Sequence, residues 1–241
     1  MLERSDRAIR QRLADDDLVL DVGAWARPFD RADWVLDLLP HETRGLYGYD
    51  RTTAVERFSA GTWVRRDICD REPWPFADRQ FDFAICSHTL EDVRDPVWVC
   101  AELMRVARAG YVEVPSRLEE QSWGVHGPWV GWSHHHWLCE TGEGRIEFVF
   151  KPGVIHGKQE NFFNSDFRAG LTEEQRVCEL WWEGGFEAVE RIYTDGPSLD
   201  AYLADFVSEH RPAGNGGREG RRRGGLRRRD RLGHQARRVE V

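Results

Sequence analysis

The sequence predicts an α/β protein built on a doubly wound, mostly parallel sheet, and three observations carry that reading. The run "FDFAICS" (81–87) is nearly continuously apolar, as suits a parallel strand buried on both faces. Similar runs recur at 18–22, 33–38, 62–68 and 110–114, separated by a helix or by long connections. The first of them ends Asp21-Val22-Gly23, a glycine turn at the place where nucleotide-binding strands carry theirs.

In chain order, residues 3–14 have helical spacing, with Leu2, Ile9 and Leu13 as apolar positions. Strands follow at 18–22 and 33–38, and residues 39–61 are irregular. "TWVRRDIC" is a third strand and "REPWPFADRQ" a Pro-rich loop before the fourth strand, 81–87. Asp95 reads as an N-cap, Pro96 as the first helical position and Gly110 as the stop, with Val97, Cys100, Ala101, Met104 and Ala107 on the buried face. A fifth strand spans 110–114. Beyond Pro115, residues 116–170 are rich in Trp, Gly and His and form an aromatic, His-rich insertion on the substrate side. Residues 145–151 read as a strand, 172–186 as a helix capped by Thr172, 187–194 as a strand and 198–210 as a last helix. Residues 1–210 thus make one domain, and 211–241 a disordered Gly/Arg-rich tail.

Composition narrows the class. A chain of 241 residues with 40% hydrophobic and 32% charged side chains can bury a full core. No apolar run approaches the roughly 18–20 residues of a membrane span, and the charged N-terminus lacks a signal core, so a cytoplasmic protein is expected. The five cysteines are far apart and form no C-x-x-C pair, which argues against a disulfide framework and a cysteine zinc site. The net charge of −8 hides an asymmetry. From residue 211 onward eleven arginines face three acids, whereas the first 210 residues carry 23 basic and 39 acidic side chains. An acidic body repels a phosphate backbone, so nucleic acid is not expected on it, although the tail could make weak contact.

Open parallel sheets bind ligands at the carboxyl ends of their strands. The residues there are Asp21, Gly23 and Ala24 after the first strand and Asp37 at the second. Asp67, Ile68 and Cys69 follow the third, and Ser87, His88 and Glu91 the fourth. Carboxylates so placed repel phosphate and suit ribose hydroxyls, an amine and a positive charge. One glycine suffices where no pyrophosphate must be wrapped. The expected ligand is adenosyl, cationic and not a dinucleotide. A nicotinamide enzyme fails on the missing G-x-G-x-x-G.

The blocks "VLDVGAWARPF", "WVLDLL", "RRDICDREPWPFADRQFDFAICSHTLEDVRDP" and "AGYVEVPSR" together resemble the class I S-adenosylmethionine-dependent methyltransferases, of the type 11-like kind, over residues 18–116. "GYVEVPSR" followed by "GWSHHHW" resembles members whose acceptor is unassigned. The resemblance implies the Rossmann-like methyltransferase fold and S-adenosyl-L-methionine as cofactor. Asp21, Gly23 and Ala24 would line its methionine part, Asp37 would hold the ribose, Asp67 and Ile68 would meet the adenine, and Ser87 and His88 would sit near the sulfonium. The interval from Asp21 to Asp37 is short for a crossover helix, which takes a dozen or more residues. Asp50 is the alternative ribose ligand.

The segment "EEQSWGVHGPWVGWSHHHWLCE" could fold over the cofactor mouth, offering Trp faces to an acceptor. In an extended chain His134 and His136 share one face, with His135 opposite. Two ligands do not make a zinc site, so no metal is expected. One of His134, His135 and His136, or His126, could instead deprotonate an acceptor hydroxyl. The function expected is methyl transfer to a small-molecule or glycan-precursor acceptor, at oxygen. The alternative is a non-catalytic cofactor-binding or interaction protein of the same fold.

Overall fold

The computed structural model describes residues 1–46 and 48–211, and the backbone of residues 235–238. Helix α1 (Glu3–Arg12) precedes strands β1 (Val19–Val22), β2 (Trp34–Asp37), β3 (Trp63–Arg65) and β4 (Phe81–Ser87). Helix α2 (Pro96–Val106) leads into β5 (Ala107–Pro115). The short α3 (Arg117–Glu120), β6 (Trp137–Gly142), β7 (Arg145–Phe150) and α4 (Ser165–Ala169) follow. Strands β8 (Val177–Glu183) and β9 (Glu187–Ile192), helix α5 (Gly196–His210) and β10 (Gln235–Arg238) complete the order.

Six strands form one sheet in the order β3-β2-β1-β4-β5-β8. The first five run parallel, and β8 closes the edge antiparallel to β5, with Val112 opposite Leu180. All four residues of β1 are buried, because successive side chains enter two cores. Leu20 and Val22 join the core shared with α2 and Trp74, whereas Val19 packs with Ile9, Phe29 and Phe83 beside α1. A second sheet, β10-β9-β7-β6, lies against the α2 side: Ile146, Phe148 and Ala188 belong to the same core as Leu103 and Val112.

Several expectations are corrected. Residues 172–186 are not a helix. Thr172 does cap, accepting from Gln175 N–H at 3.3 Å, but the turn it starts ends after Glu174–Arg176. "VCELWWE" then pairs along β5, with Leu180 and Trp182 buried and Trp181 on the opposite face. Period 2 and adjacent tryptophans favour a strand over the capping signal. Gly110 is not the stop of α2, which ends at Val106; it lies inside β5 under the Trp182 ring. A Cβ there would stand 2.4 Å from the Ala84 carbonyl and 2.6 Å from that ring, so only glycine fits. The third strand is shorter than expected, because Asp67 accepts from the Cys69 N–H and turns the chain. No helix crosses between β1 and β2, as the short interval implies; residues 23–33 make two turns instead.

Among the described residues no helix is long and apolar enough to cross a membrane. The expected Gly/Arg-rich tail lies outside the described residues, apart from Arg211 and the backbone of β10, which runs antiparallel to β9.

Candidate active site at the carboxyl ends of the sheet

The parallel order brings Asp21, Gly23, Asp37, Ser87 and His88 to one end of the sheet, at the ends of β1, β2 and β4. Asp21 is buried and accepts from the Phe29 N–H at 2.8 Å. Burial, with Asp37 nearby, pushes its carboxyl up to about 7. Asp37 is also buried; its Oδ2 accepts from the Trp25 N–H and its Oδ1 from the Leu39 N–H, both at 2.8 Å. Burial raises its pKa as well. These amides come from the turn that replaces a crossover helix, so the two acids pin that turn to the sheet.

Gly23 adopts φ +71°, and a Cβ on it would lie 2.3 Å from Thr89 Oγ1 and Cγ2. The Thr89 hydroxyl donates to the Gly23 carbonyl at 3.2 Å. The crevice between β1 and β4 is therefore filled by Thr89, a contact between residues 66 positions apart that no local pattern reveals. Asp67 is half-exposed and holds Arg94 Nη1 at 2.7 Å. Beside this pair a recess of about 320 Å³ is lined by Cys69, Asp70, Arg71, Arg94 and Asp95. Ile68 and Ala24 are buried next to their strands. Asp50 closes its own turn on Thr52, at 2.9 and 2.7 Å, and is exposed. A larger recess, about 420 Å³, opens at the amino ends of β4 and β5. It is walled by charges that neutralise one another, such as Arg12 with Glu183 and Arg108 with Asp82, and so offers a ligand little.

His88 follows β4 with φ +51°, a sparsely populated conformation for a non-glycine residue. Its N–H donates to the Glu113 carbonyl, extending the β4–β5 ladder by one bond. The imidazole Nε2 lies 3.1 Å from Oε1 of the fully buried Glu113, and Nδ1 lies 3.5 Å from Glu91 Oε1. Despite the opposing effect of burial, these two carboxylates raise His88 to about 9. Glu113 in turn is held well below the usual carboxylate range, chiefly by His88; it also accepts from Tyr111 and Ser87. Neither glutamate role was legible in the sequence, where Glu113 reads as one residue of an apolar strand.

The histidine segment meets the same rim. The His136 N–H donates to the Glu91 carbonyl at 2.7 Å, and Trp137 Nε1 to the Val93 carbonyl at 2.7 Å. The expected alternation fails here: Ser133 and His134 form a turn, so His134 and His135 come together with ring centroids 4.6 Å apart. His136 is exposed. His135 is packed against Trp132, and its Nδ1 lies 2.7 Å from Glu120 Oε1. Glu120 is fully buried and is held on its other oxygen by Lys151 Nζ at 2.7 Å. Gly131, at φ +65°, passes over this pair so closely that a Cβ would stand 2.5 Å from Glu120 Oε2. Asp92 lies 3.8 Å from His135 Nε2 and 4.0 Å from His134 Nε2. His126 accompanies them through Ser133 Oγ, at 2.8 Å.

A parallel sheet of this order, with an acid–x–glycine turn ending β1 and an acid ending β2, is a doubly wound, Rossmann-like arrangement. The family model described as Methionine biosynthesis protein MetW matches residues 4–120. Solved structures with a similar fold include a protein described as a methyltransferase from Bacillus halodurans (17% identity, 47% of this chain and 52% of that one, TM-score 0.36). Another is an S-adenosylmethionine-dependent methyltransferase from Thermotoga maritima (19% identity, 50% and 53%, TM-score 0.33). The chain thus spans about half the length of each of these two. A third, from Haloferax volcanii, is described as a methyltransferase in complex with the Trm112 activator (13% identity, 76% and 95%, TM-score 0.41). No curated protein matches the chain.

Proposed function

We propose that the protein binds S-adenosyl-L-methionine at the ends of β1, β2 and β3 and transfers its methyl group to an oxygen of a small-molecule or glycan-precursor acceptor. The observation that carries this reading is the buried pair Asp21 and Asp37 flanking Gly23 at the sheet's switch point. The residues fit the cofactor in two respects. Each Asp37 oxygen accepts a single amide and keeps a second lone pair for a ribose hydroxyl. Asp21, costly to ionise alone, gains from a cationic ligand nearby. The Gly23 carbonyl becomes available when the Thr89 side chain turns away. When bound, the cofactor supplies an electrophilic methyl. The chain's own part is to position the acceptor and relieve it of a proton, and of the three adjacent histidines only His135 has its ring oriented by a buried carboxylate.

The test is calorimetric titration with S-adenosylhomocysteine, with NAD and ATP as controls. Asp37→Ala should weaken binding about tenfold or more, since hydrogen bonds to a charged acceptor are worth roughly 1.5–3 kcal/mol; a change at His136 should leave it unaltered. Equal affinity in Asp37→Ala and the native chain would remove the ribose from this acid. The Thr89 plug and the Asp67–Arg94 pair favour a second reading, an interaction protein of the same fold, which leads if no adenosyl compound binds.

A further inference from the structure

We propose that Asp92, His134 and His135 form a binding site for one divalent first-row transition metal ion of the zinc type, on the rim beside His88. One donor atom from each of Asp92, His134 and His135 lies within 4.8 Å of the other two, and Asp92 Oδ1 is 4.0 Å from His134 Nε2 and 3.8 Å from His135 Nε2. In a tetrahedral zinc site, with bonds of about 2.0–2.1 Å, neighbouring donors stand about 3.3–3.4 Å apart. The 3.8 and 4.0 Å from Asp92 to the two imidazoles therefore need a contraction of about half an ångström. Asp92 and His134 are partly exposed, so their side chains are free to make it.

Two further observations point to a ligand. The first is the orientation of His135. Its Nδ1 lies 2.7 Å from Glu120 Oε1, whose other oxygen accepts from Lys151 Nζ; with Nδ1 donating to that oxygen, the Nε2 lone pair is directed at the cluster. A buried carboxylate fixing the tautomer of a histidine from behind is the outer shell that metal-binding histidines use. The second is Glu91. It is 1% exposed and adjoins Asp92; neither carboxylate oxygen has a hydrogen-bond partner, and its one ion-pair contact is the His88 imidazole, 3.5 Å away. A buried carboxylate short of hydrogen bonds is costly, and a cation at the neighbouring residue offsets part of that cost. Two imidazoles and one carboxylate with a position left open suit zinc, cobalt or ferrous iron rather than calcium or magnesium, which prefer oxygen throughout. On the methyltransferase reading, an acceptor hydroxyl in the open position would lose its proton to solvent near neutrality, with the metal taking the place of a free imidazole base.

The test uses the full chain, stripped with chelator, titrated with Zn2+ by calorimetry and with Co2+ by visible absorption. One ion per chain and a Co2+ d–d band are expected. Asp92→Asn and His134→Ala should each lower Zn2+ affinity by on the order of 100-fold, and Glu120→Gln by about 10–100-fold, while His126→Ala leaves it unchanged. Unaltered melting of metal-free Asp92→Asn and His134→Ala verifies that they fold. Absence of binding, or undiminished affinity in Asp92→Asn, overturns the site. Because the titration needs no cofactor, its outcome is separable from that with S-adenosylhomocysteine, whose affinity Asp92→Asn should not alter.

Discussion

Two sets of buried carboxylates stand at the same end of the sheet and are satisfied in opposite ways. Asp21 and Asp37 accept backbone amides from the loop between β1 and β2 and from the end of β2. Glu120 and Glu113 accept chiefly from side chains: Lys151 and His135 in one case, His88, Tyr111 and Ser87 in the other, where the Leu2 N–H joins them. The first arrangement shapes a loop; each acid replaces the hydrogen bonds that a crossover helix would have supplied. The second arrangement fixes imidazole rings: Glu120 holds His135 by Nδ1 and leaves Nε2 pointing away, whereas Glu113, with Glu91, holds His88 in its protonated form. All four lie at this end of the sheet, and it is the predominance of amide or side-chain donors that separates an acid that builds the crevice from one that tunes a histidine.

The sharpest way to break this contrast is at Glu120. Glu120→Ala leaves Lys151 buried without its partner, which should cost about 3–5 kcal/mol. For a chain of this size that is a melting shift of roughly 10 °C. A loss under about 1 kcal/mol in denaturant unfolding would show that the pair does not organise the rim.

Next in size is Gly23→Ala, which meets both a positive φ and Thr89. It should lose roughly 2–3 kcal/mol, and Thr89→Ala in the same chain should restore part of that. Additive losses in the double-mutant cycle would deny the Gly23–Thr89 contact.

The third concerns pH. Asp21 titrates near 3.8 in the unfolded chain and at about 7 in the folded one. The folded state therefore holds an extra proton between these values. The associated stability is complete below about pH 3.8 and is lost as pH rises through about 7, at up to about 1.4 kcal/mol per pH unit. Asp21→Asn should flatten the stability curve between pH 4 and 7 and melt higher than the native chain at pH 8; an unchanged slope in paired melts would assign the titration to another group. The smallest effect is expected at the exposed pair Arg94 and Asp67. Arg94→Ala should change stability by less than about 1 kcal/mol, so a larger loss in urea unfolding would give this surface pair a structural role.

How much could be read beforehand differs by region for physical reasons. The run 81–87 and the Asp95-Pro96 helix start are local signals, and both elements begin where the sequence places them. Strand ends follow from such runs, which is why Asp21, Asp37, Ser87 and His88 could be named as a group. Residues 172–186 went the other way because a genuine Thr172 cap and a period-2 strand pattern compete over the same stretch; pairing with β5, more than 60 residues earlier in the chain, decided between them.

The sequence by itself determined the order of the parallel strands' apolar runs, the single-glycine turn and the short link from Asp21 to Asp37, because these depend on side-chain period and on reach along the chain. Only the tertiary structure decided that Thr89 covers Gly23, that Lys151 and Glu120 orient His135, and that Asp92 rather than His136 joins His134 and His135. Those partners are far apart in sequence or turned by a loop. A buried charge takes as its partner whichever opposite charge the packed chain brings within a few ångströms, and no local pattern records that choice.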